Sequence, residues 1–125
     1  MRLEHANITV ENVNRSIEFY RHALGLELRW EGEISSDDGE PLKAAHIGNK
    51  DYYLAFFEAE KQGKAPSNYE SAGINHIAFV VDDLTEYRSR LNELNVKIHL
   101  EYDYEPGTRI YFFDPDGVEI ELVEY

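Results

Sequence analysis

At 125 residues, 42% apolar and 13% aromatic, the chain has enough hydrophobic material for one compact domain and too much for disorder. Its formal net charge of −13 repels nucleic-acid phosphates and anionic lipid headgroups, so neither is expected as a partner. Zero cysteines exclude disulfides and thiolate chemistry, and the longest apolar run, Tyr52–Phe57, is too short to cross a membrane.

Leu3–Val10 alternates as a strand, with His5, Asn7 and Thr9 on one face and Ala6, Ile8 and Val10 on the other. Asn12 is placed to cap a helix whose apolar positions are Val13, Ile17, Tyr20 and Leu24, with Gly25 as its stop. Strands are predicted at Leu26–Glu33 and Leu42–Gly48 around the polar turn S-S-D-D-G-E-P, and at Tyr52–Glu58 after N-K-D. Residues 59–72 have the composition of a linker.

The order then repeats. A strand is predicted at Asn75–Val81, followed by a helix capped by Asp82 or Asp83 that carries Leu84, Tyr87, Leu91 and Leu94 on one face. Strands near Val96–Tyr102, Arg109–Phe113 and Val118–Glu124 complete the second unit, with D-P-D-G turning between the last two. The expected fold class is α+β: two tandem βαβββ modules, about 1–58 and 73–125, forming an open, barrel-like mixed sheet with a concave pocket.

Shifting the chain by 71 places lays His5 in L-E-H-A-N-I-T-V on His76 in I-N-H-I-A-F-V-V. A shift of 66 lays Y-L-A-F-F-E on E-I-E-L-V-E, so Ala55 falls on Glu121. Three of these four equivalent positions carry a metal-ligand type of side chain, all on the face opposite Ile8, Phe79 and Ile120. That coincidence points to a metal centre at His5, His76 and Glu121.

The segments L-E-H-A-N-I-T-V, S-I-E-F-Y-R-H-A-L-G-L-E-L, I-N-H-I-A-F-V-V-D-D-L and Y-F-F-D-P-D-G-V-E-I-E-L-V-E, in this order, resemble the vicinal oxygen chelate superfamily. That superfamily groups glyoxalase I, fosfomycin and bleomycin resistance proteins, and extradiol dioxygenases. The resemblance covers essentially the whole chain and implies one divalent metal ion held by His5, His76 and Glu121, with Ala55 at a fourth, non-ligating position. Two histidines and one carboxylate form the facial triad favoured by Fe(II), while Mn, Ni, Co or Zn fit the same donors.

Several reactions are implied. Extradiol-type cleavage is the leading expectation, with Tyr111 as an active-site hydroxyl, although Tyr52 stands where those enzymes carry a histidine. Fosfomycin-type addition of a thiol or water is a second; its usual hydroxyl residue is replaced by Asn7. Glyoxalase I-type proton shuttling is weakened by Ala55. The non-enzymatic alternative is a drug-binding protein with walls built from Tyr52, Tyr53, Phe57, Tyr102 and Tyr111.

The expected partners are a small oxygen-chelating substrate and a second copy of the chain. Relatives of this length usually dimerise, and some draw one ligand from one copy and the rest from the other. M-R-L-E-H lacks the apolar core of a signal peptide, so a cytoplasmic location is expected. His22 reads as a partner of the helix C-terminal dipole, His46 and His99 as structural or exposed, and Arg109 as a surface salt bridge.

Overall fold

The computed structural model describes residues 1–61 and 69–125. The chain divides into two compact units, 1–63 and 64–125. The first contains β1 (His5–Val10), α1 (Val13–Leu24), β2 (Glu27–Ser35), β3 (Pro41–Gly48) and β4 (Tyr53–Glu58). The second contains β5 (His76–Val80), α2 (Leu84–Glu93), β6 (Leu100–Tyr104), β7 (Gly107–Phe113) and β8 (Glu119–Glu124). The expected α+β architecture of two βαβββ modules is present.

Each unit has its own four-stranded mixed sheet, ordered β1-β4-β3-β2 and β5-β8-β7-β6. The first and last strands of each unit run parallel, and the other pairs are antiparallel. Such parallel pairing needs a crossover, supplied here by the helix and the intervening hairpin. Among the described residues, no helix is long and apolar enough to cross a membrane.

The register gives the sequence repeat a structural meaning. One row of the first sheet runs Asn7, Ala55, His46 and Trp30; the matching row of the second runs Ala78, Glu121, Tyr111 and Leu100. Ala55 and Glu121 therefore occupy the same place in the two ladders. Beside those rows, His5 pairs with Tyr53 and His76 with Glu119.

The opposite faces meet the helices. Buried α1 positions Val13, Ile17, Tyr20 and Leu24 recur at helical spacing, and the Tyr20 ring lies 5.4 Å from that of Phe56. In the second unit Leu84 and Leu91 are buried on α2, and Ile110, Phe112, Ile120 and Leu122 are buried in β7 and β8. Period-two alternation directs these apolar groups away from the face carrying Glu119 and Glu121.

Both helices begin as expected. Asn12 Oδ1 accepts from the Arg15 amide at 2.9 Å, and Asp83 Oδ1 accepts from the Thr85 amide at 2.8 Å. Each start has a second tie from the last strand of its unit. Glu58 Oε2 accepts from the Val13 amide at 3.1 Å, and Glu124 Oε2 from the Leu84 amide at 2.7 Å. A carboxylate at a helix N-terminus satisfies an orphan amide and favours the positive end of the dipole. Glu124→Ala should therefore lower stability by about 1 kcal/mol, with Glu124→Gln costing less; urea unfolding of the three proteins measures the order.

Helix α1 stops at Gly25, whose φ of 66° suits glycine and whose amide donates to the Arg21 carbonyl. The end of α2 redirects the chain. Asn95 is left-handed at φ 56°, and the Val96 amide turns back to the Leu91 carbonyl. Residues 96–99 therefore leave the predicted strand, and β6 begins at Leu100. Similarly, β1 begins at His5 rather than Leu3. The expected linker lies partly outside the described residues.

The hairpin of each unit leads through a short turn into its last strand. Asn49 Oδ1 accepts from the amides of Asp51 and Tyr52, and Asp114 Oδ1 accepts from those of Asp116 and Val118. Both are side-chain-closed turns, and Gly117 at φ 84° completes the second.

Candidate functional site

His76 opens β5 and Glu121 lies in the adjacent β8, displaced from it diagonally by two residues. This spacing lets long side chains meet on one face. His76 Nε2 and Glu121 Oε2 come to 2.8 Å, with the carboxylate side chain only 10% exposed. Its other oxygen, Oε1, stands 3.2 Å from Arg109 Nε. One oxygen of Glu121 is thus held by a guanidinium while the other faces the imidazole.

Arg109 is not the surface salt bridge expected from sequence. Its side chain is 14% exposed, it also donates from Nη1 to the Gly107 carbonyl, and its guanidinium lies over the Tyr104 ring. It shares a strand face with Tyr111 because only Ile110 stands between the two in β7.

Tyr111 is directly opposite Glu121 in the ladder, and its ring meets the His76 ring edge-on at 5.7 Å. Burial, reinforced by the neighbouring Glu121 carboxylate, pushes its phenol up to about 12. Tyr111 therefore presents a neutral hydroxyl beside the two candidate ligands at ordinary pH.

Below them lies Glu119, whose side chain is 3% exposed. Its Oε2 is 2.8 Å from His99 Nε2, and its Oε1 accepts from the Tyr69 hydroxyl. The Tyr69 oxygen is also 3.2 Å from His76 Nδ1. Glu119 itself approaches that nitrogen to 3.7 Å. The hydrogen bond to Glu119 pushes the Tyr69 phenol up to about 12.

Of the two roles expected for His99, structural or exposed, the structural one fits: it stacks on Phe113 at 4.2 Å and anchors Glu119. Glu119 was legible, since a residue two places before Glu121 in an alternating strand must share its face. Tyr69 carried no comparable signal, because it follows a segment without periodicity.

In the first unit the same face is aromatic. His5 stacks on Tyr53 at 4.8 Å, His46 stacks on Tyr53 at 4.5 Å, and Trp30 lies 5.1 Å from His46. The Arg29 guanidinium stands 4.4 Å over the Tyr53 ring. Partial burial and then the Arg29 charge hold the His46 imidazole below its ordinary pKa. Ala55 is buried at the place equivalent to Glu121 and offers no donor.

The structure therefore brings His76, Glu121 and Tyr111 together in the second unit and places His5 in the first. Among the described residues, no group of three or more His, Cys, Asp or Glu side chains is arranged to hold a metal ion. The pair in the second unit nevertheless suits a divalent cation in donor chemistry. An imidazole nitrogen and a carboxylate oxygen at hydrogen-bond distance are two bases sharing one proton or one cation, and both are ligands for Fe(II), Mn(II) or Zn(II).

Residues 2–122 match the model of the Glyoxalase/Bleomycin resistance protein/Dioxygenase superfamily. A metallothiol transferase, FosB, from Staphylococcus epidermidis is 30% identical over 96% of this chain and 81% of its own length. Among solved structures, a glyoxalase family protein from Enterococcus faecalis superposes with a TM-score of 0.80 at 26% identity, covering 98% of this chain and 97% of that one. The fosfomycin resistance protein FosX from Listeria monocytogenes, crystallised as its E126Q mutant with Mn(II) and 1S,2S-dihydroxypropylphosphonic acid, shares the fold. Its TM-score is 0.76 at 23% identity, over 99% of this chain and 92% of that one.

Proposed function

Because the chain belongs to the Glyoxalase/Bleomycin resistance protein/Dioxygenase superfamily, we propose that it is a metal-dependent enzyme acting on a small molecule through neighbouring oxygen atoms. The reading is carried by the 2.8 Å approach of His76 Nε2 to Glu121 Oε2. His76 and Glu121 supply two ligands and His5 the third, with Ala55 leaving the fourth place open. A divalent ion held by these residues would supply Lewis-acid chemistry toward substrate oxygens.

The protein's own groups have separable tasks. Arg109 fixes one oxygen of Glu121, so the other is aimed at the site. Tyr111 offers a protonated hydroxyl beside the ligands, suited to hydrogen-bond an oxygen on which charge develops.

Addition of a thiol or water to an oxygenated substrate is the reaction we favour, because metallothiol transferases match this chain along nearly all of its length. Extradiol-type cleavage is the second reading, favoured by the position of Tyr111 against His76 and Glu121. The cytoplasmic, homodimeric state expected from sequence belongs to the same proposal.

Metal analysis after anaerobic purification, followed by parallel assays, tests the reading. About one divalent ion per chain is expected, together with metal-dependent consumption of an epoxide phosphonate in the presence of a low-molecular-weight thiol. Oxygen uptake with a catechol and no epoxide turnover would transfer the assignment to the second reading. Negligible metal binding, even after Fe(II), Mn(II), Co(II), Ni(II) and Zn(II) are each supplied, would overturn both readings.

A further inference from the structure

The metal-facing side of His76 has a counterpart on its other nitrogen. Nδ1 lies 3.2 Å from the Tyr69 hydroxyl oxygen, and that hydroxyl donates its proton to Glu119 Oε1. Since the tyrosine proton is committed to the carboxylate, the oxygen's remaining role toward Nδ1 is acceptor. The direction is thus Nδ1–H to Tyr69 to Glu119. The far oxygen of Glu119 is held at 2.8 Å by His99 Nε2.

We propose that Tyr69 and Glu119 are positioning residues for the metal centre, holding His76 with its proton on Nδ1 and its Nε2 lone pair directed at the site. The inference rests on the metal reading above. It adds two residues that do not themselves supply ligands to the predicted triad. A ligating imidazole whose second nitrogen donates to an acceptor is fixed in tautomer and ring angle and made more basic, and losing that acceptor costs about 10- to 100-fold in metal affinity.

Burial makes the arrangement directional. Glu119 is nearly inaccessible and anchored by His99, so its carboxylate cannot swing away to water. His99 stacks on Phe113, which restricts the anchor in turn. Tyr69 is 62% exposed over its whole surface and contributes little packing, so removing its hydroxyl should disturb the site without disturbing the core. At Glu119, glutamine keeps the shape while providing an amide that donates to Tyr69. The tyrosine proton is then released toward Nδ1, which opposes the tautomer needed for ligation through Nε2.

Co(II) and Zn(II) titrations of the full-length wild type, Tyr69→Phe, Glu119→Gln and their double variant test the proposal. Calorimetry gives affinity, and the visible spectrum of the Co(II) form gives ligand geometry. Each single change should weaken binding about 10- to 100-fold and alter the Co(II) bands, while metal-free thermal midpoints for Tyr69→Phe remain near wild type. The double variant should lose little more than the worse single one, because both interrupt one relay.

Wild-type affinity and spectra in Tyr69→Phe and Glu119→Gln, with binding abolished in His76→Ala, would overturn the positioning roles and leave the metal centre standing. An unchanged Tyr69→Phe beside a weakened, thermally destabilised Glu119→Gln would also overturn the relay and make Glu119 a structural residue. No binding by wild type would overturn the metal reading and the relay with it.

Discussion

His76→Ala and Glu121→Ala are each expected to abolish stoichiometric metal binding, a larger effect than the roughly 10- to 100-fold loss typical of a supporting partner. The two variants fail for different reasons. Removing His76 takes away a ring already held from its other side, whereas removing Glu121 also leaves Arg109 beside the site as an unpaired cation. That exposed positive charge repels a divalent ion, so Glu121→Ala should be at least as damaging as His76→Ala. Glu121→Gln keeps an oxygen and bonding to Arg109 and should retain weak binding. Metal content and calorimetric titration give the order directly; full occupancy in either alanine variant would remove it from the ligand set.

His5 completes this test and addresses assembly. His5→Ala should lose metal like the other two. If a homodimer builds each site from His5 of one copy and His76 with Glu121 of the other, mixed dimers of His5→Ala and His76→Ala chains regain one intact site in two. If each chain builds its own site, mixing restores none. Metal content after co-refolding and isolation of the mixed dimer separates these arrangements.

Phe56→Ala is expected to produce the largest loss of stability, about 3–5 kcal/mol. Phe56 is completely inaccessible at the centre of the first sheet, between Ile8 of β1 and Ala45 of β3, with Tyr20 of α1 against its ring. Truncation removes both buried apolar area and the contacts by which the helix rests on the sheet. Since small domains are stable by roughly 5–15 kcal/mol, this one substitution consumes a large fraction of the total. Urea unfolding should show a lowered midpoint, with a broadened transition if the first unit loosens before the second. Phe113→Ala, at a ring 44% exposed on the other face, should cost clearly less; equal costs would contradict the assignment of Phe56 to the core.

The sequence made the modules readable because two different periodicities agree. Helical spacing marks Val13, Ile17, Tyr20 and Leu24, and strand alternation sends Glu121 to the face opposite Ile120. The ladder then shows that Ala55 and Glu121 are true counterparts, as the 66-residue shift implied. Less legible was the effect of neighbours on single groups. Arg109 reads from sequence as a surface salt bridge because its partner Glu121 lies on the neighbouring strand, and the contact of His99 with Glu119 is hidden because the left-handed Asn95 redirects the chain before it. Tyr69 was invisible altogether: it reaches Glu119 across 50 residues from a segment with no pattern.

The two hairpins also record where this architecture tolerates changes of length. Five residues, 36–40, join β2 to β3, whereas only Glu105 and Pro106 join β6 to β7. Moving from the first strands to the third, the displacement between the units falls from 71, His5 onto His76, to 65, His46 onto Tyr111. The rows bearing the chemically important side chains remain aligned despite that difference, because most of it is absorbed at the outer hairpin. The tip at residues 36–40 is consequently the natural insertion point for an epitope or a fluorophore-binding peptide: the chain already accommodates two lengths there while keeping equivalent rows in step.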